Sequence, residues 1–207
     1  MSHIKCAEFC RVACRSAAGK LCAMKVVILF LLIWLAAAVP DAFARTPGEV
    51  EVGQVLRETP MQGLSGPSRL LSDFRGKPLI INVWASWCGP CQEEMGSLEK
   101  LSRRYGGRQF NVIGVSTDDY VDRAELFLKK TNTTFSNFID QKLFLEHMLG
   151  AERLPLTLLV DAQGRVLAKF TGAKEWDGPE MVAVIAKAFR VKAVRLGCAV
   201  GPLNAAP

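Results

Sequence analysis

The chain has 207 residues, half of them hydrophobic, with 26 Lys and Arg against 20 Asp and Glu and a formal net charge of +6. That length suits one domain that buries a substantial core without disulfide staples, once a leader is set aside. The positive excess is diffuse, with no basic stripe and no array of stacking aromatics, so it excludes nucleic acid as a partner and mildly favours an acidic partner or membrane surface.

The chain opens with Cys6, Cys10 and Cys14, spaced by four as on one helix face, and Cys22 follows. A metal or redox cluster is one reading; the preferred one is that translation begins at Met24, or that this stretch leaves with a leader. Met24 and Lys25 form a positive start, residues 26–39 are fourteen apolar or small residues without a charge, and Ala42-Phe43-Ala44 is an Ala-x-Ala cleavage site. Such a run is shorter than the roughly 20 residues of a comfortable membrane span, so it reads as a signal peptide. We expect 1–44 to be leader and signal peptide, 45–192 the folded domain and 193–207 a tail, with the mature protein periplasmic. An uncleaved anchor in the inner membrane, facing the periplasm, is the alternative. Loss of residues 1–44 removes five Lys and Arg and two Asp and Glu, leaving a net charge of +3 and three cysteines, Cys88, Cys91 and Cys198. Cys198 reads as an incidental thiol in the tail, with intermolecular pairing or an auxiliary redox role as the alternative.

Residues 56–61 and 69–71 suggest an N-terminal hairpin. Residues 79–84, a nearly continuous apolar run, read as a strand buried on both faces. Beyond it Met95, Leu98, Leu101 and Tyr105 recur at spacings of three and four, one apolar helix face that stops at Gly106-Gly107. Residues 110–116 read as a second, parallel strand and 121–130 as its following helix, with Ala124, Phe127 and Leu128 inward. A short helix at 143–149 carries His147, read as structural or exposed. Pro155 opens an apolar run ending in the turn 161–164, residues 165–171 return as an antiparallel strand, and 180–194 form a closing helix. Asp118 and Asp177 suit helix N-caps. These elements describe a wound α/β sheet.

Between the first buried strand and its helix stands Trp84-Ala85-Ser86-Trp87-Cys88-Gly89-Pro90-Cys91. Two thiols separated by two residues at a helix start can close into a small disulfide and shuttle two electrons. Only a thiolate attacks a disulfide, and a free thiol near pKa 8.5 is mostly protonated at neutral pH; unpaired N–H groups and the dipole at a helix N-terminus bring such thiols to roughly 3.5–7.5. Cys88 is therefore the candidate attacking thiol and Cys91 the resolving one. A structural zinc site lacks ligands, since beyond Val39 only Cys198 and His147 remain and four are needed. No metal is expected. A purely structural disulfide suits poorly the tight Gly89-Pro90 entry into a helix.

The strings Phe74-Arg75-Gly76-Lys77-Pro78 and Asn82 to Cys91, together with Glu94, resemble the thioredoxin superfamily, and within it the extracytoplasmic TlpA/ResA/CcmG-like thiol-disulfide oxidoreductases, over about residues 53–189. The resemblance implies a thioredoxin-like fold, a central mixed β-sheet flanked by helices with an added N-terminal β-hairpin. It implies a cis proline at Pro155, with the backbone at Leu154 pairing with an extended client polypeptide and Trp87, Gly89 and Pro90 touching it. It gives Glu94 a role in tuning the thiols, against the alternative of a solvated surface charge beside Glu93 and Glu99. Asn82 stands where cytosolic thioredoxin has a buried aspartate, which moves proton handling toward Glu94 or water. Gly96 replaces a helix-kinking proline, softening the kink, and Leu156 replaces a threonine, making the client-facing rim more apolar if it points that way.

The implied function is reduction of disulfides in client proteins such as apocytochrome c or copper-site assembly proteins, by a monomer without cofactor other than the Cys88–Cys91 disulfide. Electrons would come from a membrane thiol donor of the CcdA/DsbD kind. Three other classes stand beside it, of which a catalytically idle binding domain is the least favoured. A peroxiredoxin-type thiol peroxidase shares the fold, but the segment before Cys88 lacks the Pro-x-x-x-Thr-x-x-Cys pattern. A copper-handling chaperone would hold Cu(I) with soft thiolates.

Overall fold

Strand β3 (Leu79–Trp84) is the axis of the fold, and all six of its residues are buried. The computed structural model describes residues 48–191; the expected signal peptide with Cys6, Cys10, Cys14 and Cys22, and the tail with Cys198, lie outside the described residues. Side chains alternate across a strand, so β3 sends Ile80, Asn82 and Trp84 to one face of the sheet and Leu79, Ile81 and Val83 to the other. Parallel β4 (Asn111–Ser116) pairs on one side of β3 and antiparallel β6 (Leu156–Val160) on the other. With β1 (Pro60–Gly63), β2 (Arg69–Leu70), β5 (Ser136–Ile139) and β7 (Val166–Thr171) the sheet has seven strands in the order β2-β1-β5-β4-β3-β6-β7.

Helices cover both faces. On the Ile80–Trp84 side, α1 (Gly89–Tyr105) buries Met95, Leu98, Leu101 and Tyr105, α2 (Val121–Thr131) buries Ala124, Phe127 and Leu128, and α4 (Pro179–Ala188) buries Ile185 and Ala186 in one core cluster. Trp84 stacks on Phe127 at 4.6 Å between ring centroids, a contact worth about 0.5–1.5 kcal/mol beyond the area it buries. On the opposite side α3 (Phe144–Leu149) packs Leu145, Met148 and Leu149 with Ile81, Val83 and Leu158. Helix α1 runs unbroken through Gly96, which is exposed with open space around it. His147 is exposed, and among the described residues no helix is long and apolar enough to cross a membrane.

Several expectations are corrected by long-range pairing. The residue pattern does not announce β5, because Ser136 and Asn137 interrupt its apolar character; the strand exists because it pairs with β4 and, through β1, accepts the hairpin. The hairpin itself is displaced: its first strand is Pro60–Gly63, since Leu56 N–H donates to Gly164 O and Val55 bridges Arg165 instead. The residues preceding α2 and α4 are Tyr120 and Gly178, neither with a side-chain cap bond, so Asp118 and Asp177 are not their caps. The closing helix ends at Ala188. Leu156 is packed in the second cluster and adds nothing to an outer rim. Glu99 is no solvated charge: Thr134 N–H and Oγ1–H donate to it and Arg103 Nε donates at 2.6 Å. Burial pushes its pKa up, but the Thr134 bonds and Arg103 together hold it below the usual range.

Gly114, in the middle of β4, shows how tightly the sheet centre is filled. A Cβ there would lie 1.9 Å from Asn137 Oδ1 and 2.7 Å from Trp84 Nε1, the two atoms that hydrogen-bond to each other at 3.0 Å. Gly114→Ala is expected to destabilise the fold by about 2–4 kcal/mol, the sum of overpacking and a broken buried hydrogen bond. Thermal unfolding should register this as a Tm lowered by roughly 5–15 °C.

Candidate active site

Residues 85–88 carry the chain from the carboxyl end of β3 into α1, where ligands and chemistry gather in open α/β sheets. Cys88 precedes the helix in extended conformation and its Sγ accepts a hydrogen bond from Cys91 N–H at 3.2 Å, the place that a Ser or Asp oxygen takes in an ordinary N-cap. Gly89 and Pro90 form the first helical residues, where proline loses no helix hydrogen bond. Cys88 and Cys91 are joined as a disulfide with Cα atoms 5.3 Å apart. The two sulfurs differ in surroundings: Cys88 retains 6 % exposure and Cys91 none. Once reduced, a Cys88 thiolate would sit on the helix N-terminus, where backbone N–H groups and the helix dipole favour negative charge.

A groove beside Cys88 is lined by Trp87, Gly89, Pro90, Thr117, Glu146 and Leu154, among others. Trp87, 72 % exposed, forms its open rim. The Leu154–Pro155 peptide is cis, and Pro155 is buried behind the groove while Leu154 is half-buried within it. Thus Trp87, Cys88, Gly89, Pro90 and Leu154 come together at one surface, whereas Cys91, Pro155 and Glu94 lie beneath it.

Glu94 is 2 % exposed, three residues after Cys91 on the inward face of α1. Its Oε1 accepts from Asn82 Nδ2 at 2.7 Å, and its Oε2 accepts from Trp176 Nε1 at 2.9 Å and from the Lys174 backbone N–H at 3.1 Å. Burial raises its pKa above the ordinary carboxylate value, and the donors from Trp176, Asn82 and Lys174 only partly offset this. The solvated-charge alternative for Glu94 is therefore overturned. Asn82, a core residue on the same sheet face, also donates to Thr157 Oγ1 at 3.0 Å, its partner across the β3–β6 ladder. Ser97 closes the far side: it accepts from Trp176 N–H and donates to the Glu94 carbonyl, clamping residues 174–176 onto α1.

Two further residues, Trp176 and Asp118, have no site role in the sequence reading. Trp176 is fully buried and edge-on to Phe170; nothing local in the sequence reveals its link to Glu94, 82 positions away. Asp118 accepts from Ser86 N–H at 2.9 Å, Ser86 Oγ–H at 2.6 Å and Ser116 Oγ–H at 2.7 Å. It thereby ties the segment that carries Trp87 and Cys88 to the end of β4. The available signal is its position just past the carboxyl end of the neighbouring parallel strand. Among the described residues no group of three or more His, Cys, Asp or Glu side chains stands ready to hold a metal ion.

Comparison with known proteins agrees with this geometry. The Redoxin family model matches residues 59–185. A thiol-disulfide oxidoreductase ResA of Geobacillus thermodenitrificans is 29 % identical over 147 residues, covering 71 % of this chain and 84 % of the relative. The ResA of Geobacillus kaustophilus is 28 % identical over 146 residues, 70 % of this chain and 84 % of the relative. Among solved structures, a provisionally assigned thiol:disulfide interchange protein DsbE of Chlorobium tepidum superposes with a TM-score of 0.62 at 26 % identity, covering 68 % of this chain and 99 % of that one. The chain belongs to the Redoxin family and is a thiol-disulfide oxidoreductase of the TlpA/ResA/CcmG-like kind within the thioredoxin superfamily.

Proposed function

We propose that the protein is an extracytoplasmic disulfide reductase in which Cys88 attacks the client, Cys91 resolves the mixed disulfide and Glu94 takes the Cys91 proton. The observation that carries this reading is the asymmetry of the pair: Cys88 borders an open groove while Cys91 is fully buried next to the turn that bears a buried carboxylate. In the first step the Cys88 thiolate attacks one sulfur of a client disulfide, and the other client sulfur leaves as a thiolate. In the second, Cys91 passes its proton to Glu94 and attacks Cys88 Sγ. The Cys88–Cys91 disulfide forms, the second client thiolate departs, and two electrons have moved from protein to client. Trp87, Gly89, Pro90 and Leu154 would hold the client's extended backbone, in the manner of strand addition, with Pro155 fixing the Leu154 carbonyl end of that surface.

The signal-like segment ending at Ala44 supports action in the periplasm, and the ResA-like resemblance supports apocytochrome c or copper-site assembly proteins as clients. In an oxidising compartment a net reductase needs imported electrons, which a membrane thiol donor of the CcdA/DsbD kind would supply to the Cys88–Cys91 disulfide.

Reduced protein should accelerate reduction of insulin disulfides, and Cys88→Ser should abolish this; retained activity would sink the mechanism. Turnover of peroxide that survives Cys91→Ser would instead establish the thiol peroxidase reading. In Cys91→Ser the mixed disulfide cannot resolve, so an expressed variant should carry its client on Cys88, and mass spectrometry of the trapped adduct should find an apocytochrome or a copper-site protein. For Glu94→Gln, loss of a positioned base predicts resolution slowed by about 10²-fold or more at pH 7. That deficit should shrink as pH rises, because a growing share of Cys91 is then already thiolate and needs no base. Stopped-flow measurement of mixed-disulfide decay between pH 6 and 9 reads both features.

A further inference from the structure

The buried cluster around Glu94 leaves one atom without a partner. Asn82 is fully buried, its Nδ2 lies 2.7 Å from Glu94 Oε1 and 3.0 Å from Thr157 Oγ1, and its Oδ1 has no hydrogen-bond partner. Buried amide oxygens ordinarily find one. The arrangement is suited to an ionised Glu94, whose four-fold acceptor capacity meets three N–H donors.

A protonated Glu94 meets a different constraint. Oε2 faces Trp176 Nε1 and the Lys174 backbone nitrogen, and neither can accept a hydrogen bond. The proton therefore belongs on Oε1, whose neighbour is the Asn82 amide. With Nδ2 in that place two donors would confront each other. A half-turn of the amide, which exchanges two groups of nearly equal size, puts Oδ1 where Nδ2 stood, within reach of both Glu94 Oε1–H and the Thr157 hydroxyl, and a carbonyl oxygen has two lone pairs to accept both.

We propose that the Asn82 amide is a two-position partner of Glu94, donating through Nδ2 to the carboxylate and turning to accept through Oδ1 from the carboxylic acid, so that arrival of a proton and rotation of the amide are one event. Asn82 is a positioning residue in this scheme: it touches neither sulfur and acts through Glu94. Each orientation leaves one amide group unpartnered, Oδ1 in the first and Nδ2 in the second, so the two states are held in balance and neither is locked. The consequence for catalysis rests on the proposed role of Glu94 as acceptor of the Cys91 proton. In that step the proton leaves Cys91 Sγ and arrives on Glu94 Oε1, and the amide turn retains it there until the disulfide has closed. Of the groups around Glu94, β3 and β6 offer Asn82 and Thr157, which do not titrate; the segment after β7 offers Lys174, whose charge favours the ionised form; and α1 carries Cys91, a thiol when reduced, three residues before it. Burial acts in the other direction and favours the acid.

The test uses the full chain in its disulfide form, isotopically labelled, followed by NMR through a pH titration, so that neither Cys88 nor Cys91 titrates. The Glu94 Cδ resonance reports proton binding. The Asn82 Nδ2 protons should show cross-relaxation to the Thr157 side chain at the alkaline end and lose it at the acid end, with the same midpoint as Glu94 Cδ. In Glu94→Gln, the introduced amide nitrogen would occupy the Oε1 position and donate to Asn82 Oδ1, so the Asn82 signals should hold their acid-end pattern at every pH. Cross-relaxation to Thr157 that persists across the Glu94 midpoint overturns the proposal, as does an alkaline-end pattern in Glu94→Gln; the wild-type titration decides alone if that variant does not fold. Insulin reduction by the same preparation, with dithiothreitol as electron source, reports separately on the reductase reading, so a failure of one is not mistaken for a failure of the other.

Discussion

The hydrogen bonds that converge on the Glu94 carboxyl group govern how the site is assembled. Removing a carboxylate from water costs several kcal/mol unless protein donors replace the lost hydration. Here they come from β3 through Asn82, from the segment after β7 through Lys174 and Trp176, and at one remove from β6 through Thr157. Sliding or rotating α1 by even a fraction of a turn would strand the carboxyl group in an apolar core. The bonds thus fix the register of α1 on the sheet, and with it the position of Cys88 and Cys91 at the carboxyl edge of β3.

The same device recurs at other seams of the molecule. Asp118 gathers three donors and joins the β3–α1 connection to the end of β4. Glu99 joins the middle of α1 to the approach to β5 through Thr134. Asp140 accepts from the N–H groups of Phe144 and Glu146 and sets the first turn of α3. The apolar clusters on the two sheet faces supply the bulk of the stabilisation but are tolerant of direction, since burial is proportional to area and indifferent to geometry. Buried acids with short, directed hydrogen bonds supply what apolar packing lacks, a single permitted arrangement at each junction that bears on the groove.

How far this is legible in the sequence follows from how local each signal is. Strand β3 is visible because its nearly continuous apolar run suits burial on both faces, and α1 because Met95, Leu98, Leu101 and Tyr105 repeat at helical spacing beside a Cys-x-x-Cys pair. The site's surface, Trp87, Cys88, Gly89 and Pro90, is contiguous in sequence, and Leu154 and Pro155 are reached through the family resemblance. What stays hidden lies in polar contacts between distant segments. Asn82 and Glu94 are singled out by the same resemblance, but only the fold shows that they face each other and that Trp176 completes the pair. Strand β5 escapes notice because Asn137, whose Oδ1 satisfies the Trp84 indole, makes a core strand look polar. Asp118 and Asp177 match cap statistics before helix starts, but at Asp118 a three-donor tertiary site outweighs the local capping bond.

The burial that makes Glu94 costly also explains why the two thiols need different help. In the proposed mechanism Cys88, which borders the groove, has the helix N-terminus to stabilise its thiolate and solvent to accept its proton. Cys91 is sealed from solvent, so in the proposed mechanism its proton passes to an internal acceptor, Glu94. An acceptor with an ordinary carboxylate pKa would be a poor match for a thiol near 8.5, because proton transfer is most effective when the pKa of the base lies near the working pH. Desolvation raises the proton affinity of Glu94 and narrows that gap, while the Asn82, Trp176 and Lys174 donors limit the rise and keep the group able to ionise. A fully hydrated carboxylate would be too weak a base, and one buried without donors would stay protonated. The proposed role of Glu94 places it between these extremes, with three N–H donors on the carboxyl group and the unpartnered oxygen of the Asn82 amide beside it.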